Sequence, residues 1–299
     1  WTHSSASAPQ PAWPSSSRIL YDAVYQPILS DGLVVFGSSS DDSITALDAE
    51  TGCLRWYFFT GGPVRFAPVA WEGRLYVASD DGYLYALRLA DGQLLWKHLG
   101  GPNRRQCMGN GRMISRWPAR GGPVLFDETI YYAAGIWPSD GVYLHALDAA
   151  SGEVIWSNTD SGRLFMPQPH PGAEAYSGVS PQGYILANDE YVFVPNGRSV
   201  PAAFLREDGS LSHYLLQENG SMGAARALLA DRFIVNGGCF LDQSTGKLGA
   251  RAGRGVFGGF PDGLLRYTGD MLIEYRWEDM ETRNNRGDLT KYRGLAETS

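Results

Sequence analysis

Five arginines, Arg104, Arg105, Arg112, Arg116 and Arg120, fall within 17 consecutive positions of a chain whose formal net charge is −7. Trp117 stands among them, and Trp137 follows in the next irregular stretch. Lysine is almost absent, with Lys97, Lys247 and Lys291 the only three. Planar guanidinium forks beside indole faces suit carboxylates, uronic-acid sugars or a quinone that carries carboxylates. The competing reading is that these arginines pair with aspartates inside the fold, because structural ion-pair networks gather the same residue types. His170, in MPQPHPG, is a lone imidazole among prolines: an acid or base for an anionic sugar, or simply a loop residue. Asn196 and Arg198, in PNGRSVP, could extend the same surface, although Asn196-Gly197 also reads as a turn. Asp41-Asp42 could touch a cation but reads by default as a solvated turn.

Composition narrows the field. The acidic balance, 25 basic against 32 acidic residues, excludes a general nucleic-acid binder. Cys53, Cys107 and Cys239 are widely spaced without a CxxC, so neither a zinc site nor a disulfide framework is expected, and no metal site is assigned. An apolar run long enough to span a membrane is missing. GxGxxG, GxxxxGK, HExxH and GxSxG are also absent, which withdraws the usual support for dinucleotide, nucleotide-triphosphate, zinc-protease and α/β-hydrolase chemistry. With 37 glycines, 17 prolines and many aromatics, the chain reads as turn-rich β structure with helix nearly absent.

The elements that would hold these residues repeat. Residues 46–56 (ALDAETGCLRW), 86–96 (ALRLADGQLLW) and 146–156 (ALDAASGEVIW) share A-x-x-x-x-[TDS]-G-x-x-x-W. Weaker copies occupy residues 203–213 and 242–250, and a doubtful one residues 286–291. The anchor glycines Gly52, Gly92, Gly152, Gly209, Gly246 and Gly287 lie 40, 60, 57, 37 and 41 residues apart, the period of a propeller blade with two enlarged repeats. Strand-like runs such as LVVF, RLYVA, TIYYA and YVFV are bounded by Asp-Gly and Glu-Gly turns. Each blade is therefore predicted as four antiparallel strands, the first near residues 26–29, 33–37, 43–47 and 54–58, with Trp56, Trp96 and Trp156 packed between neighbouring sheets. About six blades are expected in a single domain over residues 1–299.

The repeated ALDAxTGxxxW element resembles the tryptophan-docking motif of pyrroloquinoline-quinone (PQQ) type propellers. That superfamily includes quinoprotein alcohol dehydrogenases and the lipoprotein propeller of the outer-membrane β-barrel assembly machinery. Ala46, Asp48, Thr51, Gly52 and Trp56 match the motif in full, whereas Arg88 replaces its aspartate in the second copy and His213 and Ala250 replace its tryptophan later. GPVRFAPV, SRWPARGGPV, AGIWPSDGVYLHALDAASG, MPQPH and NGRSVPAAF are similar to uncharacterised bacterial proteins with PQQ-like repeats, familiar from planctomycete-type genomes. The resemblance implies a seven- or eight-bladed ring of which this chain is a part, and an extracytoplasmic setting, periplasmic or secreted.

Strand alternation puts the longest segments, residues 97–122, 134–142, 157–183 and 195–201, on one face, with the docking turns opposite. The leading expectation is a non-catalytic binding module for an anionic or carbohydrate ligand or a protein partner. Arg104, Arg105, Arg116, Trp117, Arg120, Trp137, His170, Asn196 and Arg198 are its candidate residues, and no cofactor is expected. The alternatives are a quinoprotein dehydrogenase holding PQQ and a divalent ion, for which the adjacent-cysteine pair of many relatives is missing, and a lyase or hydrolase acting on anionic sugars.

Overall fold

Two-residue turns of the mirror-image type set the sheets. Asp31 and Gly32, with φ of 47° and 74°, join strands Ile28–Ser30 and Leu33–Ser38, and Glu72 and Gly73, at 45° and 70°, repeat the device in the next sheet. The structure is a computed structural model that describes residues 1–4, 26–109, 111–197, 199–220, 222–253, 255–283 and 289–298. It is a β-propeller of four-stranded antiparallel blades, each a meander in sequence order. Among the described residues helix is confined to Leu216–Asn219 and a single 3-10 turn, Pro138–Asp140.

The chain divides into two compact units, residues 1–226 and 227–299. Among its described residues the unit of residues 1–226 holds four such sheets. The first is Ile28–Ser30, Leu33–Ser38, Ser43–Asp48 and Leu54–Phe59, and the second Val69–Trp71, Arg74–Ala78, Tyr83–Arg88 and Leu94–Leu99. The third is Gly121–Phe126, Thr129–Ala134, Tyr143–Asp148 and Val154–Asn158, to whose inner strand Gly183–Tyr184 adds in parallel; the fourth is Leu186–Ala187, Tyr191–Asn196, Ser199–Leu205 and Leu211–His213. The unit of residues 227–299 holds two sheets, starting at Ala227–Ala230 and Val256–Phe260, packed around Phe233, Phe240, Leu264 and Tyr275. The doubtful repeat at Gly287 lies outside the described residues.

The repeated motif has a local cause and a distant one. In the first blade the Asp48 carboxylate accepts from the Thr51 backbone N–H (2.9 Å) and hydroxyl (2.8 Å), while the Gly52 N–H closes onto the Asp48 carbonyl. Asp148 with Ser151, and Asp242 with Thr245, repeat these bonds. Where Arg88 replaces the aspartate, an Arg88–Asp91 ion pair holds the turn instead. The glycine then receives the indole of the blade before. The Trp56 Nε1–H donates to the Leu89 carbonyl, that of Trp96 to Ala150 and that of Trp156 to Arg206, and the rings lie over Gly92, Gly152 and Gly209. Trp1 lies over Gly52 in the same way, donating to the Ala49 carbonyl.

A Cβ on Gly92 would stand 2.6 Å from the Trp56 ring, and its φ is +71°. Gly92→Ala should therefore cost about 2 kcal/mol or more, combining backbone strain with a displaced indole. Gly73→Ala, at φ +70° with open space around it, carries the backbone strain alone and should cost about 1 kcal/mol. Urea midpoints of the two variants separate these terms, and equal losses would remove the indole's part.

Residues 195–201 are not a long insertion. Asn196 pairs directly with Ser199 between two adjacent strands. The Asn196 side chain is buried, accepting from the Ser180 N–H (2.8 Å) and donating to the Val200 carbonyl (2.8 Å), which makes it a turn anchor.

Candidate functional site

The other insertions carry structure of their own. Residues 97–122 contain a hairpin, Gln106–Gly109 with Arg112–Ser115, and residues 157–183 contain a second, Leu164–Pro167 with Glu174–Ser177. Between them the 3-10 turn Pro138–Asp140 joins all three segments. Asp140 accepts from the Arg116 guanidinium (2.6 Å), its carbonyl accepts from the Trp117 indole N–H (2.7 Å), and strand Glu174–Ser177 packs on the same turn. Ser180 donates to the Ile136 carbonyl (2.5 Å), and the Arg112 guanidinium pairs with Asp42 and donates to the Ser39 carbonyl. The insertions thus form one surface anchored on Asp140.

On that surface the two hairpins point apolar residues outward as cross-strand pairs. Met108 faces Met113, 70% and 49% exposed, and Phe165 faces Tyr176, 60% and 70% exposed, the two rings 5.3 Å apart. Trp137 is also exposed, and the Arg163 guanidinium lies 5.6 Å over the Tyr176 ring. Half-burial, with Asp140 nearby, pushes the Cys107 thiol above its ordinary range, which keeps it protonated at neutral pH.

The candidate residues sort by environment. Arg104 and Arg105 are exposed, and the Arg105 carbonyl accepts from the Arg116 N–H. Arg116 is held by Asp140 and stacks near Trp117. Trp117 is a core residue, 5% exposed, in the cluster that joins the second and third blades; the indole expected to face a ligand faces Tyr143 instead. Arg120 is likewise withdrawn from ligand binding, because its guanidinium grips Asp80 through two bonds, 2.5 and 2.9 Å, in the interior. His170 sits exposed in the turn of the second hairpin, beside a shallow cleft lined by prolines and Gln217. Arg198 lies outside the described residues.

Asp80 is the buried carboxylate that sequence reasoning missed. It is 1% exposed and takes Arg65 (2.7 Å) as well as Arg120, so segments entering the second and third blades are tied to one turn of the second. Burial alone would raise its carboxyl, but the two guanidinium ions outweigh burial and hold it below the usual range. Phe66 and Tyr184 pack edge-to-face and close over Gly122, and the Tyr184 hydroxyl accepts from the Ala67 N–H (3.1 Å).

A family profile described as outer membrane protein assembly factor BamB matches residues 1–142. BamB of Yersinia pestis is 26% identical over 171 residues, covering 52% of this chain and 40% of that protein. A tetrathionate hydrolase of Acidithiobacillus ferrooxidans is 28% identical over 124 residues, covering 41% and 21%. The chain thus spans less than half the length of these curated relatives. Among solved structures, the quinohemoprotein alcohol dehydrogenase of Comamonas testosteroni superposes with a TM-score of 0.56 at 14% identity, over 85% of this chain and 53% of that one, a likeness of fold alone.

Proposed function

Since the chain is a PQQ-like β-propeller repeat protein, we propose that it is a non-catalytic module that docks a protein partner on the insertion surface, within an extracytoplasmic protein. The carrying observation is the outward pairing of Met108 with Met113 and of Phe165 with Tyr176, on hairpins that complete no blade. A sheet that needs no extra strand gains nothing in stability from exposed methionine and aromatic pairs, whereas such residues are enriched where proteins meet. The assembly-factor name of the Yersinia pestis relative supports both a protein partner and the setting. Among the described residues no helix is long and apolar enough to cross a membrane.

The dehydrogenase reading asks for a divalent ion held by carboxylates beside PQQ. The donor set does not fit. Among the described residues no three His, Cys, Asp or Glu side chains converge, and the buried Asp80 carboxylate is already taken by two arginines.

A photo-crosslinking side chain in place of Met108 or Phe165, introduced in the cell that makes the protein, should yield a discrete protein adduct. Tyr176→Ser should abolish the Phe165 adduct, and the same probe at Tyr57 on an outer strand should yield none. Equal labelling from Tyr57 would remove the site, and a retained quinone absorption band after incubation with PQQ and calcium would favour the dehydrogenase reading.

A further inference from the structure

The arginines of the first unit divide by position. On the blades, exposed or half-buried arginines have carboxylates of their own: Arg55 pairs with Asp48, Arg74 with Glu72, Arg88 with Asp91 and Arg206 with Asp127. Within the insertions, Arg112 and Arg116 are paired with Asp42 and Asp140. Arg104, Arg105 and Arg163 are exposed and, among the described residues, have no carboxylate partner. Through residue 206 they are the only described arginines of this unit so placed, in a chain of net charge −7. All three lie on the surface that carries the exposed apolar pairs. Arg104 and Arg105 lead directly into the first hairpin, and Arg163 precedes the first strand of the second and covers Tyr176.

An acidic protein that neutralises its blade arginines but leaves one cationic fork over an exposed ring and two at the start of the methionine hairpin is complementary to carboxylates interleaved with apolar side chains. We propose that the partner contributes an extended acidic segment, its Asp or Glu side chains paired with Arg104, Arg105 and Arg163 and its apolar side chains seated on Phe165, Tyr176 and the methionine pair. This rests on the partner-docking reading above and specifies its chemistry. Rim charges of this kind steer encounter and set specificity, so the salt dependence should be steep.

The test uses the full chain and three fluorescein-labelled synthetic peptides that alternate Glu with Phe and Leu, Gln with Phe and Leu, or Lys with Phe and Leu, read by fluorescence anisotropy. The acidic peptide should bind about tenfold more tightly than the glutamine peptide, lose that preference between about 50 and about 300 mM salt, and exceed the lysine peptide further. Arg104→Gln/Arg105→Gln/Arg163→Gln should abolish the preference while leaving the circular dichroism spectrum and the urea midpoint unchanged. Phe165→Ser/Tyr176→Ser should weaken all three peptides alike. Equal affinity for acidic and glutamine peptides, with the loss at Phe165 and Tyr176 retained, overturns the acidic specificity and leaves partner docking standing. Binding to phosphatidylglycerol vesicles or to single-stranded DNA with no peptide preference overturns it in favour of an anionic surface. Failure of all peptides overturns it as well, and the crosslinking result then decides the docking reading separately.

Discussion

Asp80→Ala is expected to destabilise the first unit by about 3 to 5 kcal/mol, the loss that follows when one partner of a buried ionic cluster is removed. Asp80 is 1% exposed, and the carboxyl oxygens accept from Arg65 Nε at 2.7 Å and from Arg120 Nε and Nη2 at 2.5 and 2.9 Å. Arg65 and Arg120 are themselves 6% and 3% exposed, so the variant would remove the carboxylate that two buried cations share, where water cannot reach them readily. The backbone of the same turn adds to the constraint: the Asp80 N–H donates to the Pro63 carbonyl, and the Asp80 carbonyl accepts from the Ser115 N–H. Because the cost comes from uncompensated charge, the combined change Arg65→Met/Asp80→Leu/Arg120→Met should recover much of it, as well-packed apolar side chains replace buried ion clusters without penalty in other folds. Denaturant melts of the two variants check this. A loss below about 1 kcal/mol for Asp80→Ala would mean that solvent screens the cluster.

The contrast between Asp80 and the repeat motif shows what a linear pattern can carry. A-x-x-x-x-[TDS]-G-x-x-x-W is legible because its bonds are local: the Asp48 carboxylate caps a turn three residues on, and Gly52 takes a φ of +71° that only glycine adopts without strain. The strand ranges of the first blade follow within a residue or two for the same reason. The insertions were legible as segments and not as surfaces. Trp117 and Trp137 both read as indoles in long loops, yet one is sealed between blades by residues far away in the chain, Tyr76 and Ala149 among them, while the other stays exposed. Arg116 and Arg120 likewise part by their partners, Asp140 and Asp80, which lie 24 residues ahead and 40 behind, the first at the surface and the second in the interior. Residues 195–201 read both as a segment of the insertion face and, at Asn196-Gly197, as a turn, and the strand pairing of Asn196 with Ser199 follows the second reading. The exposed methionine pair had a readable sign too, an Asn-Gly step at residues 110–111 inside the arginine segment. Its orientation depends on Ile114 being buried and Arg112 bonding to the distant Ser39 carbonyl, which short-range alternation does not settle.

The stability of the first unit should fall as the pH drops from 7 toward 4, in a window set by His145. This imidazole is 6% exposed on strand Tyr143–Asp148, with Nε2 at 2.8 Å from the Gly100 carbonyl and Nδ1 at 2.7 Å from the Ser157 hydroxyl. The carbonyl can only accept, so Nε2 carries the proton and Nδ1 accepts from Ser157: both nitrogens are satisfied in the neutral ring. Burial lowers its pKa to about 4, with the neighbouring His98 adding to the effect and the Gly100 bond opposing it. His98 lies with its ring centroid 4.8 Å away and its Nδ1 2.6 Å from the Tyr132 hydroxyl, and burial lowers its pKa as well. Both shifts run in one direction. The unfolded chain takes up protons near pH 6.5 while the folded chain declines them until about pH 4, so acidification favours unfolding across that interval and adds nothing below it. From His145 alone the loss should reach about 2 kcal/mol by pH 5 and about 3 kcal/mol by pH 4. Above pH 5 the Asp80 carboxylate, held below the usual range by Arg65 and Arg120, stays charged in both states, while both histidine shifts favour unfolding there. His145→Gln preserves a donor for Gly100 and an acceptor for Ser157, and it should flatten the profile between pH 7 and pH 5 while costing less at pH 7 than it restores at pH 5. Urea midpoints measured at intervals from pH 7 to pH 4 for both proteins decide the matter. A parallel fall in the two would assign the acid sensitivity to carboxylates and leave His145 no part in it.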